Sequence, residues 1–187
     1  DSVCIRLDVS DIVEGLFDFI AGQYITIRKE IKGQDVRRSY SISSAPGGVL
    51  EIGVKLVRGG LMSTYLTKEL KSGDVLEVMP PMGSFSLETN HTNENHYMAI
   101  CAGSGITPVL SMIQDVLNKE PKSSFTLLYG NKSKSTIMFS DILFDLEKDF
   151  QSQLLVYYIF SREEVFNCLQ GRIDNVNLKS LFEENKN

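Results

Sequence analysis

The sequence predicts two domains in tandem, a small antiparallel β-barrel followed by an α/β domain built on a parallel sheet. Three observations carry that prediction. The first half consists of short segments rich in β-branched and aromatic residues, closed off by Gly, Pro, Asp and Ser, the pattern of a barrel. Residues 86–96 (Ser-Leu-Glu-Thr-Asn-His-Thr-Asn-Glu-Asn-His) are polar and aperiodic. After them, apolar strands without alternation are separated by amphipathic helices, as in βαβ units covered on both faces. The expected boundaries are 1–88 for the barrel, 89–96 for a linker and 97–187 for the α/β domain.

In the barrel, strands are expected at 3–9, 24–28, 38–42, 50–57 and 75–79, with turns at 21–23, 45–48, 71–74 and 80–83. One helix interrupts them at 62–70, preceded by Gly59-Gly60. The second domain opens with a strand at 97–102, then a helix at 108–118 that places Val109, Met112, Ile113, Val116 and Leu117 at helical spacing. A strand at 124–129 follows, then a helix with Phe139, Ile142, Leu143, Leu146 and Phe150 on one face. A strand at 154–160 and a short helix near 176–184 complete the chain. Three strands leave the segment 97–102 as an apolar edge, an aggregation liability. One or two further strands are therefore expected beyond Asn187, the domain being incomplete at its C-terminus.

Composition narrows the function classes. The chain has 187 residues, 42% hydrophobic and 23% charged, the balance of an ordinary globular protein. No apolar run approaches the roughly 20 residues that span a bilayer, and no signal peptide is visible, so a cytoplasmic, membrane-free protein is expected. Residue 1 is Asp, so the natural start is expected upstream. The net charge of -5 and the lack of a basic cluster argue against a nucleic-acid partner. Cys4, Cys101 and Cys168 are too scattered to form a metal or cluster ligand set and fit a reducing compartment. His91 and His96 read as linker residues.

The run Arg37-Arg38-Ser39-Tyr40-Ser41-Ile42-Ser43-Ser44-Ala45-Pro46 is the most informative. A strand here puts Arg38, Tyr40 and Ile42 on one face and Ser39, Ser41 and Ser43 on the other. Such a set can hold a phosphate, offer a ring for stacking and reach a heteroaromatic edge with a hydroxyl; it also fits a plain amphipathic edge strand. Gly59-Gly60-Leu61-Met62-Ser63-Thr64 stands at a helix start, where free amides and the dipole favour an anion. With Arg38 it makes a diphosphate clamp, or else an ordinary capped helix. Gly103-Ser104-Gly105-Ile106-Thr107-Pro108 lies between a buried strand and a helix, where a dinucleotide diphosphate rests, although Pro108 replaces the third glycine of G-x-G-x-x-G. Tyr129-Gly130-Asn131-Lys132 and Ser161-Arg162 end the second and third strands, at the ligand-binding edge of such sheets. No acidic residue stands at 131–132 to grip a ribose diol. Arg162, with Lys132, can instead pair with a 2′-phosphate, favouring NADPH over NADH. The alternative is a solvated Arg162 paired with Glu163 or Glu164.

In order and spacing, Ala21-Gly22-Gln23-Tyr24, Arg38-Ser39-Tyr40-Ser41, Gly59 to Ser63, Gly103 to Pro108 and Tyr129-Gly130-Asn131 resemble the ferredoxin–NADP reductase superfamily over nearly the whole chain. Within it the chain is most similar to the reductase components that serve phenylacetate degradation. The resemblance implies a six-stranded Greek-key FAD-binding barrel and a pyridine-nucleotide domain. Arg38 would neutralise the FAD diphosphate, Tyr40 stack on the isoalloxazine and Ser41 hydrogen-bond its reducible nitrogen. Ser39, Val54 and Lys55 would join the flavin site, and Gly60, Leu61, Met62 and Ser63 would cradle the diphosphate. Thr107 would sit at the nicotinamide–flavin junction, with Ser41 the second catalytic position. Gly103, Ser104, Gly105, Asn131, Ser161 and Arg162 would bind the nucleotide. The implied activity is that of an NAD(P)H-dependent flavoprotein reductase, moving a hydride from NAD(P)H to FAD and electrons singly to an iron–sulfur domain or ferredoxin that feeds an oxygenase. The family's later Cys-Gly-Pro segment and the [2Fe–2S] domain of the most similar relatives are absent from these residues. A flavohaemoprotein-type or cytochrome-reducing reductase, or a non-catalytic flavin-binding regulatory module, are the rival readings.

Overall fold

Val3, Ile5 and Leu7 alternate along β1 (Ser2–Leu7) and face Val54, Ile52 and Leu50 of the antiparallel β4 (Leu50–Lys55). β2 (Tyr24–Ile31) and β3 (Gln34–Ser41) form a hairpin longer than the sequence suggested. Its loop is Lys32-Gly33, with φ values of 53° and 75°, the twin left-handed residues of a type I′ turn. The expected bounds stopped short because Lys29, Glu30 and Asp35 look like loop residues. They belong to a strand pair whose outer face carries Arg28, bonded to Asp35 and Glu77 at 2.9 Å each.

β5 (Glu77–Met82) pairs with β2 and absorbs Pro80-Pro81, for which the sequence suggested a turn. The strand is at the edge of the order β3-β2-β5, and its register shifts opposite Tyr24 and Thr26; an edge and a bulge are where a strand tolerates residues without an N–H. The expected helix is a short α1 (Leu61–Thr64) running directly into a π-turn, Tyr65–Glu69. Met62 and Leu66 seal it onto a core of Ile25, Ile27, Val36, Ile42, Leu50, Ile52 and Val54. Among the described residues the hydrogen bonding runs as two antiparallel sheets, joined by a bridge between Ile42 and Ile52.

The computed structural model describes residues 1–9, 15–174 and 178. They divide into two units, Asp1–His91 with Thr107–Lys119, and Thr92–Ile106 with Glu120–Asn187. The helix α2 (Ile106–Lys119) starts two residues before the expected 108, straight out of a 3-10 turn at Gly103–Gly105. From Thr107 onward it groups with the first unit. Ser111 Oγ donates to Ser44 O at 2.6 Å and Gln114 Nε2 to Ser43 O at 2.8 Å. Thr89 Oγ1 donates to the buried Asp115 at 2.7 Å.

The second unit is a parallel sheet in the order β6 (His96–Ala102), β7 (Ser124–Asn131), β8 (Leu154–Phe160), β9 (Leu169–Gln170). Three strands were expected. The fourth, β9, is two residues long and leaves no periodicity to read. β6 stands at the sheet edge among the described residues, as anticipated, with Met98 and Ile100 44% and 50% exposed. His96, read as a linker residue, is the first residue of β6, and its ring meets Ser124 Oγ at 2.6 Å and Thr126 Oγ1 at 3.2 Å. Within the same polar stretch, Asn93 Nδ2 donates to the buried Glu120 at 2.8 Å. In α3 (Ser140–Asp149), Leu143 is the buried residue, and Phe139 is the left-handed N-cap with φ 59° rather than a face residue. The helix expected at 176–184 lies outside the described residues, apart from position 178.

Candidate functional site

Strand periodicity places the first group of residues. In the β2–β3 register Arg38 pairs with Ile27 and Tyr40 with Ile25, so both side chains start from the face that carries the core. Tyr40 is half-buried and packs against that core; burial raises its pKa and the Arg38 charge partly lowers it again. Arg38 is exposed. Among the described residues its guanidinium makes one hydrogen bond, Nη1 to Arg37 O at 2.6 Å, and has no carboxylate partner. Its neighbours differ: Arg28 is bonded to Asp35 and Glu77, and Arg37 to Asp35 at 3.3 Å.

On the opposite face Ser39 Oγ is 3.0 Å from Thr26 Oγ1, and the half-buried Ser41 pairs with Tyr24. The expected hydroxyl row ends there. Ser43 is fully buried off the strand and donates to Glu51 O at 3.1 Å, and Ile42 is core. Val54 is likewise fully buried, leaving only its main chain for a ligand, and Lys55 Nζ lies 4.0 Å from Asp1.

The 57–64 loop is tight. Gly60 N donates to Val57 O at 2.9 Å, and a Cβ on Gly60 would stand 2.5 Å from Ser63 Oγ, so a larger residue there would displace the Ser63 hydroxyl. Ser63 is buried and its hydroxyl is engaged within the loop, accepting from Val57 N at 3.2 Å. The first helical hydrogen bond runs from Thr64 N to Gly60 O; the amides of Leu61, Met62 and Ser63 therefore precede it.

In the second unit the motifs converge on the carboxyl ends of β6, β7 and β8. Gly103, with φ 52°, opens the turn after β6. Its carbonyl accepts from Tyr129 Oη at 2.9 Å, and Met138 N donates to the same hydroxyl at 3.2 Å. Burial pushes the Tyr129 pKa up to about 12, partly offset by the Met138 N–H and the nearby Asn131 amide. Asn131 is 7% exposed, and although its amide lies near the Tyr129 hydroxyl, neither Oδ1 nor Nδ2 makes a hydrogen bond of normal geometry among the described residues. Ser161 N donates to Asn131 O and Arg162 N to Lys132 O, both at 3.0 Å, tying the two strand ends together. Glu163, a candidate partner for Arg162, instead accepts from Lys134 N at 2.7 Å. Ser104, Gly105, Ser161 and Arg162 are exposed, and Thr107 is buried in the first unit.

Sequence reasoning missed Ser111 and Gln114, and it set Tyr129 at the ligand-binding end of its strand without a role for the hydroxyl. The first two left a readable signal, polar residues on the buried face of an apolar helix. The Tyr129 hydroxyl left none, because its partners Gly103 O and Met138 N come from other segments of the chain. Among the described residues no group of three or more His, Cys, Asp and Glu could hold a metal ion, and no helix is long and apolar enough to cross a membrane.

Comparison with known proteins matches residues 2–87 to an oxidoreductase FAD-binding domain and residues 99–187 to an oxidoreductase NAD-binding domain. The chain is 39% identical over 184 residues to a 1,2-phenylacetyl-CoA epoxidase component from Escherichia coli, covering 97% of this chain and 51% of that one. It is 29% identical over 161 residues to the ferredoxin reductase component of 3-ketosteroid-9-alpha-monooxygenase from Rhodococcus rhodochrous, covering 84% and 45%. The chain thus spans about half the length of these curated relatives. The flavohem-like FAD/NAD binding domain of nitric oxide dioxygenase from Vibrio cholerae superimposes with a TM-score of 0.76 at 27% identity, over 93% of this chain and 73% of that one.

Proposed function

Because this chain belongs to the ferredoxin–NADP reductase family of FAD- and NAD-binding oxidoreductases, we propose that it is the reductase portion of an oxygenase system, drawing on NADPH. The observation that carries this reading is Arg38: an exposed guanidinium with no carboxylate partner among the described residues, beside two arginines that have one. A guanidinium without a carboxylate next to a half-buried ring suits a diphosphate joined to a flat heterocycle.

The residues present fit both groups. Arg38 and the amides of Leu61, Met62 and Ser63 would hold the FAD diphosphate, Tyr40 would stack on the flavin ring, and Ser41 would hydrogen-bond it, with Ser39 and the main chain of Val54 and Lys55 alongside. The orphaned amide of Asn131 and the turn 103–105 would receive the nicotinamide nucleotide, and Thr107 would meet the nicotinamide. FAD supplies the step from a two-electron hydride donor to single electrons. The protein contributes placement and charge, so no side-chain general base is needed. Arg162 is exposed just past the end of β8, while Glu163 accepts from Lys134 N, and a guanidinium in that place supports a 2′-phosphate and hence NADPH as donor. An iron–sulfur protein or domain is the proposed acceptor and an oxygenase component its consumer, by analogy with the relatives' names; phenylacetyl-CoA is the leading substrate system.

A visible spectrum tests this directly. The purified protein with FAD should be yellow and should bleach anaerobically within seconds of adding NADPH, more slowly with NADH. A protein that stays colourless with excess FAD, or whose colour neither nucleotide removes, refutes the proposal.

A further inference from the structure

Tyr129 is not among the residues proposed to touch FAD or the nucleotide, yet its hydroxyl is placed to orient the turn that would. The ring is fully buried in β7. The hydroxyl donates to Gly103 O at 2.9 Å and accepts from Met138 N at 3.2 Å. Gly103 O also accepts from Ile106 N at the end of the turn, so both of its lone pairs are used. In a trans peptide the C=O and the following N–H point in opposite directions, and there is no cis peptide among the described residues. Holding Gly103 O against Tyr129 therefore aims the Ser104 N–H away from that hydroxyl.

A second observation points to a ligand at the same strand end. Asn131 stands two residues further along β7, on the same face as Tyr129. It is 7% exposed; its amide lies near the Tyr129 hydroxyl, but neither amide atom makes a hydrogen bond of normal geometry to a described group. A buried amide in that state is costly until something supplies its partners. One strand thus carries a hydroxyl that fixes the glycine turn and, next to it, an amide left for a guest.

We propose that Tyr129 is a positioning residue for the nicotinamide dinucleotide, its hydroxyl setting the Gly103 peptide so that the turn 103–105 meets the diphosphate while Asn131 makes the buried contact. This rests on reading the second unit as a nucleotide domain. The Phe variant keeps the ring and removes the hydroxyl with its bonds to Gly103 O and Met138 N, so the turn loses its orientation while the ring keeps its packing.

The test uses the full-length, FAD-loaded protein and its Tyr129→Phe variant, titrated calorimetrically with NADP+ and NAD+ in parallel. The Kd of the nucleotide that the wild type binds should rise about tenfold, the change expected from one hydrogen bond. KM for the reduced nucleotide should rise in proportion, with kcat within about twofold and FAD affinity and visible spectrum unchanged. A merely structural tyrosine would instead lower flavin content and kcat together. Should Tyr129→Phe fail to fold, Gly103→Ala perturbs the same peptide from the turn side: a Cβ there meets nothing within 4 Å, but φ 52° disfavours it. A nucleotide Kd within twofold of wild type in the folded Tyr129→Phe protein, or in Gly103→Ala if that is the one that folds, overturns the proposal. A wild type that binds neither nucleotide overturns the reading of the second unit as well, so the two failures are told apart.

Discussion

Replacing Arg38 with alanine separates ligand binding from folding. The side chain is exposed, and among the described residues it bonds only to the adjacent Arg37 carbonyl, so the apo protein should lose little, within about 0.5 kcal/mol. Toward a diphosphate the same guanidinium would make charge-assisted hydrogen bonds worth roughly 1.5–3 kcal/mol. At tenfold per 1.4 kcal/mol, FAD binding should weaken roughly 10- to 150-fold. Arg37→Ala is the control. Its guanidinium lies on the opposite face of β3, 3.3 Å from Asp35, and its removal should leave FAD affinity within about twofold. Fluorescence titration of the apo proteins with FAD, paired with apo melting curves, reads both quantities. Arg38→Lys should recover part of the affinity, because an ammonium keeps the charge without the fork. An Arg38→Ala protein that binds FAD within about threefold of wild type, or an Arg37→Ala protein that loses as much as Arg38→Ala, would refute the clamp.

Four further outcomes are expected. Ser41→Ala should keep its yellow colour and lose about tenfold in the rate of flavin bleaching, measured by stopped flow, since the proposed hydrogen bond to the ring would be removed; an unchanged rate discards that role. Ser111→Ala leaves Ser44 O, which now accepts at 2.6 Å, without its partner in a buried setting. That should cost about 1–3 kcal/mol, read as a lower Tm in calorimetry; an unshifted Tm would show the bond contributes nothing. Arg162→Ala should raise KM for NADPH about tenfold or more while leaving KM for NADH nearly unchanged, and equal effects on both nucleotides would exclude a 2′-phosphate contact. Alkaline stability should fall. Burial raises Cys101 and Tyr129 to about 12 from ordinary values near 9 and 10, so each favours the fold while neutral. Their contribution is complete below about pH 9 and is lost as pH climbs toward 12. The urea midpoint should therefore drop between pH 9 and 11, and a flat profile would contradict the burial of both groups.

How much of this was legible depends on the distance over which each residue's partners lie. The alternation of Arg38, Tyr40 and Ser41 is a property of one strand, and the β2–β3 register realises it as read. The strand bounds were harder, because the outward-facing Lys29, Glu30 and Asp35 look like loop residues until the cross-strand ion pairs of Arg28 are seen. Pro80 and Pro81 read as a turn because the sequence alone does not say that their strand lies at an edge. In the site, no local pattern announces that Arg38 lacks a carboxylate while Arg37 has one. Tyr129 finds its acceptor 26 residues upstream and its donor nine residues downstream, so only the assembled sheet reveals what its hydroxyl does.

Ser111 and Gln114 fall between these extremes, and they show how such contacts can be found. Thr107, Ser111 and Gln114 recur at i, i+4 and i+7, one stripe of α2, on a helix whose Val109, Leu110, Ile113 and Val116 are also buried. Thr107 and Ser111 are themselves buried, and buried polar groups are almost always hydrogen-bonded. A polar stripe inside an apolar helix therefore demands partners elsewhere in the chain. Here they are Ser43 and Ser44, 71 and 67 residues away and immediately beyond Ser41 and Ile42. The helix that follows the glycine turn is thus anchored just past the end of the strand that carries Arg38, Tyr40 and Ser41. A substitution at Ser111 or Gln114 should accordingly disturb the chemistry of Ser41 without touching it, which no reading confined to the Arg-Ser-Tyr-Ser motif would anticipate.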